Sequence, residues 1–507
     1  NHQRIPLEYR LLETTRAYAA QASNLPGERE QARERHARYF LRLLENQDWE
    51  TYNPAVERVT MRGYLDEVRA ALDWAFSANP SLGTRLVLAA ERMWLELTSL
   101  AQGVSHLTMA LRFVDLNPHE DATMRCRILV SLASAQVYIP GRQDTSLYEH
   151  AWQAAQVAGN DFLELRALYG IIQARLLTRV TASYHIDAFA AVCERSNDPV
   201  ARKFLLRWSA FNDAELSEIK SAVAKFEAFL KDEQPISKVT SLYFGGIDST
   251  ISCKVGLAQA KHYLGYSDQA RSLLDSTVAE AENLGHATTL YFVLAQGATW
   301  VNLSYGDFQR VNAYLRKLED VVALYRPWRV VVDCFRALLL RDESGNFSEA
   351  ERLLVQSLQE PFILKTGTLH PILWIELADT RRMLGDLDGA RAAAKRAMSQ
   401  CLGDGDARLI GKHNSVLGKI LMARNRAGDL DKARALFANA IELTRARDIY
   451  LLECEAAVGL AELELQAGRR GQARTMLTRL LARRGDRERV PGLAQAQRLL
   501  NASEVDG

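Results

Sequence analysis

Leu384 to Met398 reads LGDLDGARAAAKRAM, and Ala427 to Ile441 reads AGDLDKARALFANAI, almost the same sentence written twice. Looser copies begin at Tyr263 (YLGYSDQARSLLDSTV), Ser304 (SYGDFQRVNAYLRKL), Glu343 (ESGNFSEAERLLVQSL) and Gln466 (QAGRRGQARTMLTRLL). Each copy has a turn glycine followed by an amphipathic helix. The glycines at 265, 306, 345, 385, 428 and 468 are separated by steps of 41, 39, 40, 43 and 40 residues. A period near forty predicts one helical hairpin per repeat.

The residue types in one copy explain the hairpin. Gly385 stands where the preceding helix needs a left-handed residue to end, and Asp386 or Asp388 can cap the next helix. Ala390 then faces back across the hairpin, with counterparts Ala270, Ala350, Ala433 and Ala473, and only Val311 departs from alanine. Four positions on, Leu274, Leu354, Phe437 and Leu477 supply bulk. A hairpin of this size cannot bury its apolar faces alone, so successive copies must stack. The predicted fold is an all-α superhelical solenoid of tetratricopeptide-like hairpins with a period near 40 residues, its units somewhat longer than the usual ~34 residues.

Length and composition agree, since 507 residues exceed one ordinary core and an array grows by adding repeats. An apolar share of 48% with 25% charged residues is ordinary for a folded chain, and a net charge of +1 offers no field for nucleic acid or an anionic membrane. Local arginines such as Arg469 and Arg470, or Arg479, Arg483 and Arg484, read as solvated faces or helix-dipole partners. The cysteines at 126, 193, 253, 334, 401 and 454 stand singly, with no CxxC pair, and read as free thiols of a reducing compartment. No apolar run reaches a membrane-spanning length. The expected location is cytoplasmic, with no membrane and no direct nucleic-acid contact.

Chemistry-bearing motifs are few. FGGIDST at Phe244 to Thr250 differs by one residue from a phosphate-cradling loop of one ATP pyrophosphatase class, but such a loop needs a strand before it and a sheet around it. No GxxxxGK[ST] occurs, so no phosphate loop of that type is present. GDLDG at Gly385 to Gly389 lacks the third acidic position and the later glutamate of a calcium loop. No HExxH or nucleophile elbow is found. The chain is therefore expected to be no enzyme and to hold no cofactor or metal.

In chain order, one amphipathic helix is expected over residues 5–22, a second from Glu28 to about Asn46, and helices throughout, with breaks at Ile139 to Asp144, Asn197 to Pro199 and Asp232 to Pro235. Leu147 to Ala158 and Phe162 to Leu177 read as one early hairpin. Pro491 to Leu500 reads as a closing helix. Three regions are expected: an N-terminal helical region, 1–120; irregular hairpins, 121–235; and the clear array with its cap, 236–507.

YRLLETTRAYA followed by RERHARYFLRLLE, then YLDEVRAALDWAFS at Tyr64 and a helix pair LVLAAERMWLELTSLAQGVSHLTMALRF at Leu86 to Phe113, resembles the junction after the ATPase module of bacterial winged-helix transcriptional regulators of the signal-transduction (STAND) ATPase type. TLYFVLAQGATWVNLSYGDF at Thr289 and VDCFRALLLRDESGNF at Val332 resemble the helical-repeat tail of the same regulators. The resemblance implies a sensor and regulatory tail, its partners being its own ATPase and DNA-binding modules and a small-molecule effector or protein partner in the concave groove. The start at Asn1 adds the expectation of a fragment. The alternative is a tetratricopeptide-type interaction scaffold or adaptor with no ligand gating. In either case Gln259, His262, Gln296 and Trp300, with Asp379 and Arg382, are expected on the first helices of their hairpins, facing the groove.

Overall fold

A computed structural model describes residues 27–47, 54–96, 100–117, 122–137, 145–177, 182–237, 240–241, 246–323, 328–360, 363, 369–399, 406–487 and 489–503. The expected helix over 5–22, the break at 139–144, Phe244 and Cys401 lie outside these residues. Among the described residues every regular element is a helix, and none is long and apolar enough to cross a membrane.

The first part comprises α1 (Glu28–Glu45), α2 (Pro54–Ala78), α3 (Pro80–Ala89), α4 (Glu91–Glu96) and α5 (Leu100–Leu116). The stretch expected as a helix pair at Leu86 to Phe113 is instead spread over three helices. The short α4 turns Met93 and Trp94 into the core, and Trp94 lies so close to α5 that a Cβ on Gly103 would stand 2.8 Å from its ring.

Next come α6 (Ala122–Val137), α7 (Ser146–Ala158), α8 (Asp161–Leu177), α9 (Ser183–Ser196), α10 (Pro199–Glu215) and α11 (Ile219–Lys231). The hairpin expected from Leu147 to Leu177 is α7 with α8, and Asn197 ends α9 in the left-handed region before Asp198 caps α10.

The repeat array follows: α12 (Ser249–Tyr263), α13 (Ser267–Leu284), α14 (Ala287–Phe292), a π-helical segment (Val293–Ala298), α15 (Thr299–Tyr305), α16 (Phe308–Val322), α17 (Arg329–Asp342), α18 (Phe347–Ser357), α19 (Leu369–Leu384), α20 (Leu387–Ser399), α21 (Ala407–Arg424), α22 (Asp429–Ala446), α23 (Tyr450–Gln466), α24 (Arg470–Ala482) and α25 (Leu493–Ala502). All six turn glycines have positive φ; Gly385, at 84°, donates to Arg382 O and leaves Asp386 free to accept from Gly389 N at 2.9 Å. Asp388 does not cap; it reaches Arg426 at 3.1 Å in the next hairpin. Ala270, Ala350, Ala390, Ala433, Ala473 and Val311 are fully buried, as are Leu274, Leu354, Phe437 and Leu477. The bulky set fills space left by glycines on neighbouring first helices: Phe437 lies between Gly418 and Gly459, and Leu274 against Gly297. The result is an all-α solenoid of tetratricopeptide-like hairpins.

The array curls until its last hairpins meet its first helix and the α10–α11 turn just before it. Arg447 of the α22–α23 turn donates to Leu216 O at 3.0 Å across 231 residues, and Arg487 donates to Leu264 O at 2.6 Å across 223. The first helices of successive hairpins thus face inward onto one lumen.

Candidate functional site

The lumen holds a cavity of about 590 Å3, within the roughly 300–1,000 Å3 of typical ligand pockets. Its wall takes residues from α12, α15, α17, α19, α21, α23, the turn before α25 and α25 itself. From α15, α17 and α19 come Trp300, Leu303, Leu338, Ile372 and Ile375, beside the charged Arg341, Asp342 and Glu376. From α21 and α23 come Lys412, Lys419, Glu455 and Glu462, among Leu409, Leu451, Leu452 and Val458.

The charged groups of the wall pair with one another. Lys412 Nζ reaches both Glu455 oxygens at 3.1 and 3.2 Å, and Lys419 Nζ reaches Glu455 Oε1 at 3.2 Å. Burial works to raise the Glu455 carboxyl, but Lys412 and Lys419 outweigh it and hold it at about 2. Burial likewise opposes the Lys412 ammonium, yet Glu455, Glu376 and Asp379 outweigh it and its pKa is raised. Arg341 pairs with Glu376 at 2.7 Å and with Asp342 at 2.6 Å, while Arg408 pairs with Glu215 at 3.0 Å and Asp406 at 3.1 Å. Lys419 makes one hydrogen bond with three N–H groups, and Glu462 accepts one, from Gln495 at 2.7 Å. Both therefore present spare hydrogen-bonding capacity to the lumen.

His262 and Trp300 meet at this cavity, but in different states. His262 is 2% exposed, with Nδ1 2.9 Å from Ser267 Oγ and Nε2 3.1 Å from Ser304 Oγ, so one ring nitrogen ties α12 to α13 within its hairpin and the other pins it to the next. Burial pushes its pKa down to about 4, which keeps it neutral at physiological pH. Trp300 is half-buried against Phe335 and presents the remainder of its ring to the cavity.

The other expected residues are absent from the cavity wall. Gln259 donates to the carbonyl of Gln296 at 2.5 Å, joining α12 to the π-helical segment. Asp379 and Arg382 pair with each other at 2.7 Å on α19. Burial works to raise the Asp379 carboxyl, but Arg382, Lys419 and Arg341 hold it at about 2, so this pair adds field rather than surface. The lysines and Glu455 had a visible signal: Lys412 and Lys419, like Glu455 and Glu462, stand seven apart, two helical turns on one face.

The competing motifs are absorbed by the fold. Asp248 of FGGIDST caps α12, accepting from Ile251 N at 2.9 Å in an all-helical setting. Arg469 and Arg483 pair with Glu464 and Glu453, and the five cysteines among the described residues are free and buried. No group of three or more histidine, cysteine, aspartate or glutamate side chains among the described residues is placed to hold a metal ion.

No family model matches the chain, and no curated protein sequence matches it. Among solved structures it is similar to the crystal structure of the yeast Tom70, with a TM-score of 0.36 and 13% identity over 89% of this chain and 96% of that one. It is also similar to the crystal structure of the APC/C hetero-tetramer Cut9–Hcn1, with a TM-score of 0.35 and 12% identity over 92% of this chain and 98% of that one. The class rests on the chain's own geometry: glycine-ended helical hairpins, alanine crossings and inward first helices define a tetratricopeptide-like repeat solenoid.

Proposed function

We propose that the chain is an interaction module, a repeat scaffold that holds its partner or ligand against the inner wall of the solenoid. One observation supports this most: the inward faces of six helices, one from each successive hairpin, converge with the start of α25 on one cavity that offers the aromatic Trp300 together with the charged Lys412, Lys419, Glu455 and Glu462. Mixed walls of this kind suit recognition, because the apolar groups supply burial and the few polar groups fix orientation. The binding set is accordingly Trp300 with Lys419, Glu455 and Glu462, while His262 holds the wall in shape.

The test is a thermal-shift screen of small metabolites and short peptides on the intact chain, followed by calorimetry on any hit. Affinity should fall at least about tenfold in Trp300→Ala and Lys419→Met, the loss of one buried contact worth about 1.4 kcal/mol or more. It should hold in Met476→Ala, a change in the outer groove between α22 and α24. A hit indifferent to both lumen variants would place binding elsewhere.

A finer reading makes this module the sensor tail of a transcription regulator with a signal-transduction ATPase. It is supported by the ordered landmarks from the N-terminal junction through Tyr64 to Ser77 and on to Leu86 to Phe113. Under it, residues 1–120 adjoin the ATPase and 236–507 carry the ligand cavity. Sequence upstream of Asn1 tests it: a phosphate loop and a winged helix are expected, and their absence from the full-length gene would leave the scaffold reading alone.

A further inference from the structure

The seam where the solenoid meets itself is built differently from the stacks between consecutive hairpins. The stacks share a long apolar core running from Ile251 to Ile420. The seam has a small apolar plug, Ile219, Ala260, Leu264, Ala407, Ile449 and Leu452, rimmed by polar contacts. On the rim, Ser217 donates to Asp406 Oδ1 at 3.0 Å, Lys220 meets Asp448 at 2.7 Å, and Arg447 bonds Leu216 O and the Glu218 carboxylate. Arg487 lies over the rings of Tyr450 and Tyr266, 4.7 and 5.2 Å from their centroids, while its Nε holds Leu264 O.

Such a rim is weaker than the stacks. Apart from the part-buried Arg408–Glu215 pair at 3.0 Å, its ion pairs are exposed; such pairs contribute little, and salt screens them. A repeat array also bends by small rotations at each hairpin, so the ring can open without breaking any hairpin's own core. The cavity wall runs from α12 directly onto α23 across this seam, with Tyr263 on one side and Leu451 and Leu452 on the other.

We propose that the seam is a gate: the rim of Arg447, Arg487 and Lys220 holds the solenoid as a closed ring, and its release opens the lumen sideways while every hairpin stays folded. This goes beyond the reading of the lumen as a binding site, because the ring can open whether or not anything binds there.

The experiment uses the intact chain with spin labels at Lys231→Cys and Glu442→Cys, two exposed positions outside the rim on either side of the seam, in a Cys401→Ser background. Double electron–electron resonance should give one narrow distance for the native seam. Arg447→Ala with Arg487→Ala should add a longer population with the helical circular dichroism unchanged. Native rim residues in about 1 M salt, where the screening length is about 3 Å, should shift the same way. An unchanged distance under both conditions overturns the gate. If the double variant unfolds, the salt series on the native rim decides in the same way: a longer population before any loss of helix supports the gate, and none overturns it.

Discussion

Gly459→Ala should destabilise the array although alanine is the better helix former. Gly459 sits inside α23, and a Cβ built there would stand 2.5 Å from Phe437 Cε1 and 2.8 Å from Cζ, far inside the roughly 3.5–4.0 Å of a relaxed carbon contact. The ring has nowhere to go, because a Cβ on Gly418 would come within 2.7 Å of the same Phe437, which is fully buried. Overpacking at such a site costs about 2–3 kcal/mol, against about 1 kcal/mol gained from helix propensity, which leaves a net loss of about 1–2 kcal/mol. Gly63→Ala is the contrast: it is exposed within α2 with nothing within 4 Å of the added carbon, so it should stabilise by about 0.5–1 kcal/mol. Urea titration by circular dichroism measures both. Hydrogen exchange localises the first, and because repeat stability is set by nearest neighbours, the change should concentrate in residues 407–466. In a Phe437→Leu background the Gly459→Ala loss should largely vanish. If Gly459→Ala stabilised as Gly63→Ala does, the interleaving of glycine and Phe437 across the hairpins would be refuted.

Ala390→Leu should overpack the α19–α20 crossing and cost about 1–3 kcal/mol by the same titration; a neutral result would put Ala390 in solvent. Asp248→Ala should cost about 1 kcal/mol as a lost helix cap and leave any background nucleotide hydrolysis unchanged, and hydrolysis that disappears with it would revive the phosphate-loop reading. Acid should destabilise through His262: its folded pKa lies at about 4 against 6.5 unfolded, so the unfolded chain binds the proton first and stability falls as pH drops from about 6.5 toward 4. At 1.36 kcal/mol per unit this is up to about 3 kcal/mol, and His262→Gln should flatten the urea midpoint between pH 7.5 and 5; an unaltered slope would show that the ring accepts a proton in place.

Much of the array could be read from residues because its signals are local. A turn glycine, an aspartate or asparagine after it, an alanine at the crossing and a bulky residue four positions on all lie within one short stretch, and each does one job in the hairpin. Three features escaped this reading. The π-helical segment at Val293–Ala298 takes up an irregularity within a long first helix, and propensity does not mark which turn will absorb it. The break of Leu86 to Phe113 across α3, α4 and α5 accompanies the burial of Met93 and Trp94, tertiary contacts that local sequence does not mark. Closure of the ring is the least local of all, since it sums small rotations over every hairpin before Arg447 and Arg487 find their acceptors. The candidate site followed the same division: Trp300 could be placed on the inner wall from its position before a turn glycine, whereas Lys412, Lys419 and Glu455 join it at the cavity only because closure brings α21 and α23 into the same lumen.

Zero-length carbodiimide coupling tests the closed ring most directly. Lys220 Nζ lies 2.7 Å from Asp448 Oδ2, with both side chains partly exposed, so an amide between them should form in the monomer and appear as a cross-linked peptide by mass spectrometry. Lys254 with Glu280 and Lys317 with Glu282 couple neighbouring helices at 2.6 and 2.5 Å and serve as internal standards. The closed solenoid predicts the 220–448 peptide at a yield comparable to the standards. Standards that couple while 220–448 stays absent would mean an open superhelix, with no lumen for a ligand to occupy.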